Sequence, residues 1–366
     1  LVAGAYPAFF LSAYLPKNLL QTTFQKSGGA GWLRRSLVTA QFTVSIILII
    51  GTLALYQQMQ FIRQKKLGFE PEQVLAVNTV AAESKEQLDA LIQGCRNLFS
   101  VTSVCRAQSY PGYKASSRTL MRSGGDAEGI QILTNRCTPG IENVLGLKIL
   151  AGAMLPEKQP GDTTVHVLLN KKAVAYLGFT PEEAIGKKVS CQLGENAFIC
   201  GVVEDFHAES LHNPIGAYAF HDDLNETRRF LLLKLTAGNL PETMIQIEQE
   251  MSKALPQSAF EYTFLDEHFD ALYRSDQRSA GIVLIFSLLS VFLCCLGLFG
   301  LAAFAAEQRR KEIGVRKVLG ASVLSIAALL NRDFLKLMLL AIVLATPVAH
   351  YFLQRWLAGF AYHIEL

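Results

Sequence analysis

Hydrophobic positions fall into three long blocks. Leu37–Tyr56 (LVTAQFTVSIILIIGTLALY) and Gly281–Ala306 (GIVLIFSLLSVFLCCLGLFGLAAFAA) hold no charged residue, and Phe334–Phe352 (FLKLMLLAIVLATPVAHYF) holds one, Lys336. A membrane-crossing helix needs about 20 predominantly apolar residues, and each block meets that length. Buried core helices of a soluble protein are the alternative, but such helices rarely stay uncharged for so long. Between the first two blocks the pattern shortens. VLAVNT (Val74–Thr79) reads as a strand, and Leu88, Leu91, Ile92, Cys95, Leu98 and Phe99 recur on one helical face. VTSVCRA (Val101–Ala107) reads as a second strand. FLLLKLT (Phe230–Thr236), then Met244, Ile247, Met251 and Leu255, then FEYTFL (Phe260–Leu265) repeat the arrangement. The predicted fold class is a multi-pass α-helical membrane protein with a large extracytoplasmic α/β domain. Its two β-α-β units pack as one layer, and the segment between them, 110–229, forms an inserted β-rich lobe.

Charge sets the orientation. Arg34 and Arg35 precede the first block, and Arg309, Arg310, Lys311, Arg316 and Lys317 follow the second. Short cytoplasmic loops collect such residues, so the polar domain lies outside. Arg63, Lys65 and Lys66 stand on the outer side, but long translocated domains are largely exempt from the rule. Tyr351, Trp356, Phe360 and Tyr362 suit an aromatic belt at the outer interface. The apolar opening, Leu1–Leu15, is expected to end a preceding span, and 355–366 to be an outer segment ahead of a further one. The chain has 366 residues and a net charge of +3, which gives no nucleic-acid signal.

Candidate chemistry is sparse. Asp205, His207, Glu209, His212, His221, Asp222 and Asp223 form a metal-like group. The residue types suit zinc or copper, but the spacing matches no closed zinc pattern, so a solvated loop is the preferred reading. No G-x-S-x-G, H-E-x-x-H, C-x-x-C or P-loop is present. No catalytic, cofactor-binding or metal residue is assigned, and the chain is not expected to be an enzyme. KKVSCQL and AFICGVV flank a Gly-Glu-Asn turn, and a two-residue loop there would face Cys191 with Cys200. That pair is a candidate disulfide, with two reduced, buried thiols as the alternative. Inside the first span, Gln41 and Ser45 share a face, with Thr52 further along it. They either hydrogen-bond a neighbouring helix or bond back to their own carbonyls.

The block EQRRKEIGVRKVLGAS (Glu307–Ser322) holds seven charges between two apolar runs. Glu307/Lys311 and Glu312/Arg316 are spaced i,i+4 with Glu first, the better order for a helix. Gly320 reads as a helix stop and Ser322 as the next N-cap. A plain basic anchor needs charge alone. Ile313, Val315, Val318 and Leu319 add apolar surface, which favours a docking surface.

QRRKEIGVRKVLGAS resembles the signature of FtsX-like ABC transporter permeases, the group that includes the MacB type. LVTAQFTVS, GVVEDFH, FLDEHFDALY, LGLFGLAAF and GAYPAFFLS resemble the same family. The resemblance implies the C-terminal half of a duplicated permease in the bacterial inner membrane. Its parts are 1–15 (end of a preceding span), 16–36 (cytoplasmic connector), 37–57 (span) and 58–278 (periplasmic core domain). The core divides into a porter-like lobe with stalks, 58–109 and 230–278, and the inserted lobe, 110–229. Then follow 279–306 (span), 307–332 (cytoplasmic coupling region), 333–354 (span) and 355–366. The stalks are Tyr56–Lys66 and Asp266–Arg278.

The implied partners are a cytoplasmic ABC ATPase dimer, the other permease half or a second permease, a periplasmic or outer-membrane protein, and membrane lipid, with no nucleic acid. ATP and Mg belong to the ATPase. Arg309, Arg310, Lys311, Glu312, Ile313, Arg316, Lys317, Val318, Leu319 and Gly320 would couple to it. The implied work is mechanotransmission, for export or extraction of a peptide, lipoprotein or amphiphile. The rivals are a membrane-anchored sensor and an activator of a cell-wall enzyme.

Overall fold

The computed structural model describes residues 28–121, 129–159, 161–189, 193, 196–222 and 229–365, with backbone alone at 28–34, 323, 324, 326–331 and 333. Leu1–Leu15 and Cys191 therefore lie outside the described residues. The chain divides into two compact units. The α/β unit is Tyr56–Ser279 with Arg355–Leu366, and the helical unit is Ala280–Gln354 with the residues up to Leu55. In chain order the first elements are α1 (Gly28–Gln64), β1 (Val74–Asn78), α2 (Lys85–Arg96), β2 (Val101–Ala107), β3 (Ser116–Leu120), β4 (Ile130–Arg136), α3 (Ile141–Leu145) and β5 (Ile149–Gly152). Next come β6 (Val165–Asn170), α4 (Lys171–Leu177), α5 (Pro181–Ala184), β7 (Ala197–Val203), β8 (Tyr218–His221), β9 (Phe230–Leu235) and α6 (Leu240–Ala254). The last are β10 (Tyr262–Phe264), α7 (Leu265–Leu272), α8 (Arg274–Gln308), α9 (Arg310–Val318) and α10 (Val323–Leu357).

The two β-α-β units form one four-stranded sheet of order β10-β1-β9-β2, with every neighbouring pair antiparallel. β9 separates β1 from β2, and β1 separates β9 from β10. The units are thus interleaved as split β-α-β motifs. α2 opens with a capping box, in which Ser84 accepts from the Gln87 amide and the Gln87 side chain accepts from the Ser84 amide. Leu75, Val77, Val104, Leu231 and Leu233 face Leu88, Leu91 and Cys95 of α2 and Ile247 and Met251 of α6. Val74, Ala76, Cys105, Phe230 and Leu232 face the other way, onto α3 and the second lobe. A strand covered on both faces reads as an unbroken apolar run, which accounts for FLLLKL. Phe99, placed on the α2 face by its spacing, lies beyond the helix end and is 102% exposed.

The inserted lobe carries a six-stranded sheet of order β3-β4-β8-β6-β7-β5, in which β4/β8 and β6/β7 are parallel. α4 and α5 cover one face. The lobe is therefore α/β in character, more regular than a β-and-turn insertion. Buried Asn170 ties it together. Its side chain caps α4 at Ala173 N (3.1 Å), accepts from Tyr218 N (2.9 Å), and donates to Gly216 O (2.9 Å) and Asp205 Oδ1 (3.0 Å).

The hairpin expected from KKVSCQL needs correction. Its described part makes a single bridge, Lys188 opposite Phe198, and Gly186 N donates to Ile199 O. That register differs from the one that would face Cys191 with Cys200. Cys200 is a free thiol whose Sγ lies 3.5 Å from Val167 O. The assumed two-residue loop caused the error, because a change of register re-pairs every position.

In the helical unit, Arg35–Gln64, Arg274–Gln308 and Phe334–Leu357 are long and apolar enough to cross a membrane. Val38, Phe42, Cys294 and Ala341 pack together. Ala341, Ala345 and Ala349 repeat every fourth residue on α10 and are fully buried, a small-residue face that lets backbones approach closely. α1 runs unbroken to Gln64. Asp266–Arg278 is not one helix: α7 ends at Leu272, Tyr273 takes φ −104° and ψ 3°, and α8 begins at Arg274.

Leu91→Ala should cost the α/β unit about 2–5 kcal/mol, read as a lower urea midpoint of the full chain. Phe99→Ser should change that midpoint by less than about 0.5 kcal/mol.

Candidate coupling site

α9 is a short charged helix with no buried residue. Glu312 holds Arg316 at 2.8 Å across one turn. Glu307 pairs with Arg310 at 3.3 Å, where the spacing predicted Lys311. Val315 (60% exposed), Val318 (89%) and Leu319 (80%) sit at i, i+3 and i+4, so they form one apolar stripe. Ile313 is half-buried. The helix ends in a Schellman turn: Ala321 N donates to Arg316 O (3.0 Å) and Gly320 N to Lys317 O (3.2 Å). Gly320 has φ +91°, a left-handed conformation that favours glycine. Ser322 then caps α10, its Oγ accepting from Ser325 N at 3.3 Å. Arg309 forms the joint between α8 and α9, so the second apolar helix does not pass smoothly into the charged one. Arg309, Arg310, Lys311, Glu312, Ile313, Arg316, Lys317, Val318, Leu319 and Gly320 thus share one helix and its two caps.

Gln41 and Ser45 meet α8. The Gln41 side chain lies against Gly297, where a Cβ would come within 3.2 Å of its Oε1. Cys294 Sγ lies 3.6 Å from Gln41 O, and Ser45 is buried. Thr52 instead bonds back to Leu48 O at 2.8 Å. Thr52 therefore follows the back-bonding reading, while Gln41 and Ser45 are packed against α8.

In the α/β unit a strap, 356–364, crosses the end of α1 and the loop 205–215. Gln58 is fully buried there and makes two bonds to the strap: its Nε2 donates to Tyr362 O (2.9 Å) and its Oε1 accepts from Ile364 N (3.0 Å). Met59, Ile62, Leu211, Tyr273 and Phe360 form one apolar cluster. His212 stacks on Phe360 at 4.3 Å, with its Nε2 3.5 Å from Asp276 Oδ2. Tyr273 OH accepts from Leu211 N at 2.8 Å. His207 packs edge-on to Tyr362 at 5.0 Å, while Lys65 Nζ lies 4.5 Å above that ring. Burial, and secondarily the Lys65 charge, pull the His207 pKa down to about 4. The aromatic residues expected at a membrane interface, Trp356, Phe360 and Tyr362, pack against this joint.

Residues 284–366 match the family model for the FtsX-like permease C-terminal region. No curated protein matches the chain. Among solved structures, the periplasmic region of MacB from Actinobacillus actinomycetemcomitans aligns at 14% identity and TM-score 0.40, over 58% of this chain and 98% of that one. A domain of a putative permease from Porphyromonas gingivalis aligns at 16% identity and TM-score 0.35, over 53% and 89%. The extracellular domain of the noncanonic ABC-type transporter YknZ from Gram-positive bacteria aligns at 15% identity and TM-score 0.36, over 52% and 98%.

The matched stretch, 284–366, includes α9, α10 and the strap. The metal-like residues upstream of it serve other ends. His207 and His212 hold the strap, and Asp205 accepts from Asn170 and from Lys172 N. Asp222 bonds His166 Nδ1 at 2.8 Å. Asp223 lies outside the described residues. Among the described residues no group of three or more His, Cys, Asp and Glu can hold a metal ion. The segment is a packed joint, which corrects the solvated-loop reading. Sequence reasoning missed Gln58 and Tyr273. The available signal was slight: Gln58 is one of three glutamines at 57, 58 and 60, and only its i,i+4 spacing to Ile62 sets it on the apolar side of the stalk.

Gly320→Ala should destabilise the α9–α10 turn by about 1–2 kcal/mol. Gly314→Ala, in the exposed middle of α9, should stabilise the helix by about 1 kcal/mol. Hydrogen exchange of the α9 amides reads both. His207 is neutral in the folded unit and titrates at 6.5 when unfolded, so its contribution is complete above pH 6.5 and is lost as pH falls toward about 4. His207→Phe should flatten the pH dependence of the unfolding midpoint in that window.

Proposed function

We infer that this chain is the permease component of an ABC-type system in the bacterial cytoplasmic membrane. Its three long apolar helices cross the bilayer, and the α/β unit stands on the periplasmic side. The observation that carries this reading is α9. It combines ordered Glu–Arg pairing, an exposed stripe of Val315, Val318 and Leu319, and a fixed turn into the next apolar helix. A basic anchor that only sets orientation has no use for the stripe or the turn. The stripe suits a shallow groove on a cytoplasmic ATPase dimer, with Arg309, Arg310, Lys311 and Lys317 around the contact. That ATPase would hold ATP and magnesium and carry out the hydrolysis.

The unbroken course of α1 supports transmission of movement. A helix with all its internal hydrogen bonds is a stiff link, and α1 has no break between its apolar stretch and Gln58. The interrupted course at Tyr273 gives the second connection a bend. Together these favour a lever that acts on a client in the periplasm, whether the client is exported, extracted or activated. The partner half of the permease and any outer-membrane component belong to the same proposal.

Purification of the full-length protein from its host membrane tests this directly. An ABC-type ATPase should accompany the wild-type chain. The Glu312→Ala/Arg316→Ala and Val318→Asp/Leu319→Asp variants should each lose most of it while keeping the unfolding midpoint of the α/β unit. Full retention by both variants would reduce α9 to an anchor, and absence of any ATPase from the wild type would overturn the reading.

A further inference from the structure

A groove in the helical unit is left unused by the α9 contact. It measures about 380 Å³ and is walled by Phe42 of α1, by Leu298, Phe299 and Ala302 of α8, and by Phe334, Leu335 and Met338 of α10. Phe42 is 9% exposed and packs with Cys294 and Ala341, so it forms the floor. Phe299 and Leu335 are exposed and stand at the rims. Every lining side chain is apolar. The groove also sits at one level of the apolar blocks. Phe42 follows Leu37 by five residues, Ala302 precedes Ala306 by four, and Phe334 opens the third block. On the topology proposed above, it therefore opens at the cytoplasmic edge of the apolar layer.

Two arginines share the phase of the groove. A helix returns to nearly the same face every seven residues, with a drift of about 20°. Arg35 stands seven residues before Phe42 on α1, and Arg309 stands seven residues after Ala302, where α8 ends. The Arg309 amide still bonds Ala305 O at 3.1 Å, so the helical phase reaches that far. Because α1 runs outward and α8 inward, both arginines lie on the cytoplasmic side of the groove, about 10 Å beyond it. Arg35 is exposed. Glu307, an acid at the same end of α8, is held by Arg310 at 3.3 Å. Orientation in the membrane calls for basic residues at this end, but it sets no helical phase for them. An apolar helix laid in the groove would meet two cations with no use for them. An acyl chain would bring its headgroup to their level.

We propose that this groove binds an acyl chain of an anionic phospholipid, with the phosphate of the headgroup set against Arg35 and Arg309. Basic pockets between membrane helices on the cytoplasmic side take such headgroups, and the planar arginine fork matches phosphate oxygens. The apolar walls hold the chain, and the arginines select the headgroup. The proposal rests on the reading that the three apolar helices cross a bilayer with this end inside. It does not rest on the ATPase contact.

The test reconstitutes the full chain, carrying Trp32→Phe and Trp356→Phe, in phosphatidylethanolamine vesicles. Phe299→Trp then reports on the groove, and Leu288→Trp, at an exposed position nearer the other end of α8, reports on bulk lipid. Phosphatidylglycerol and phosphatidylethanolamine with brominated acyl chains are compared as quenchers. One basic residue near an anionic surface is worth roughly a fivefold change in affinity. Brominated phosphatidylglycerol should therefore quench Phe299→Trp at about a tenfold lower mole fraction than brominated phosphatidylethanolamine. The two lipids should quench Leu288→Trp alike. Arg35→Gln should cut the preference at Phe299→Trp about fivefold, and Arg35→Lys should keep it. Equal quenching of Phe299→Trp by the two lipids would overturn the proposal. Quenching of Leu288→Trp with none of Phe299→Trp would show that a protein helix covers the groove, and would overturn it as well. Absence of quenching at both positions would overturn the bilayer reading and the site with it. If Phe299→Trp does not fold, native mass spectrometry compares the phosphatidylglycerol retained by the wild-type chain and by Arg35→Gln, and equal retention overturns the proposal.

Discussion

The α/β unit depends on one sheet that is covered on both faces. Its four strands place Leu75, Leu231 and Leu233 toward two helices, and Val74, Ala76 and Leu232 toward a second lobe. A strand's side chains alternate between faces, so each strand serves two cores at once. A one-residue slip would exchange the two sets. Interleaving adds a further condition, since neither β-α-β unit can complete its half of the sheet without a strand from the other. The contacts that join Val101–Ala107 to Phe230–Leu235, with Ala107 opposite Phe230, therefore bring the ends of the inserted lobe together. The lobe itself can then vary without disturbing the frame.

The turn between α9 and α10 follows a different logic. Nothing in α9 is buried, so its shape comes from short-range bonds. One Glu–Arg pair, one glycine with positive φ and one serine cap are enough to end a helix and start the next. Surface ion pairs contribute little to stability, and the value of this segment lies in the side chains it leaves uncovered. Order is kept by the backbone, and apolar surface stays free.

What the sequence revealed follows the same division. The three apolar helices, the Gly320 stop and the Ser322 cap were legible because each is decided within a few residues. Both β-α-β units were legible from periodicity, but their interleaving was not, since strand order depends on contacts across more than a hundred positions. The Cys191–Cys200 pairing rested on an assumed loop length, and the observed Lys188–Phe198 bridge sets another register. His207 looked like a loop residue because DFHAESLHNP has neither a helix nor a strand period. Its burial comes from Tyr362, far along the chain, and no local pattern reports such a contact.

The bonds between Gln58 and the strap bear on the order of synthesis. Gln58 leaves the ribosome before its two partners, Tyr362 O and Ile364 N, which follow more than 300 positions later. Until then its amide has no protein partner at that joint, and a buried amide left unmet costs about 1–3 kcal/mol. The stalk, the loop 205–215 and the start of α8 can fold beforehand, but they stay unlatched. Closure of the joint then requires that α8, α9 and α10 have all been made. A chain truncated before Tyr362 would leave that seam open.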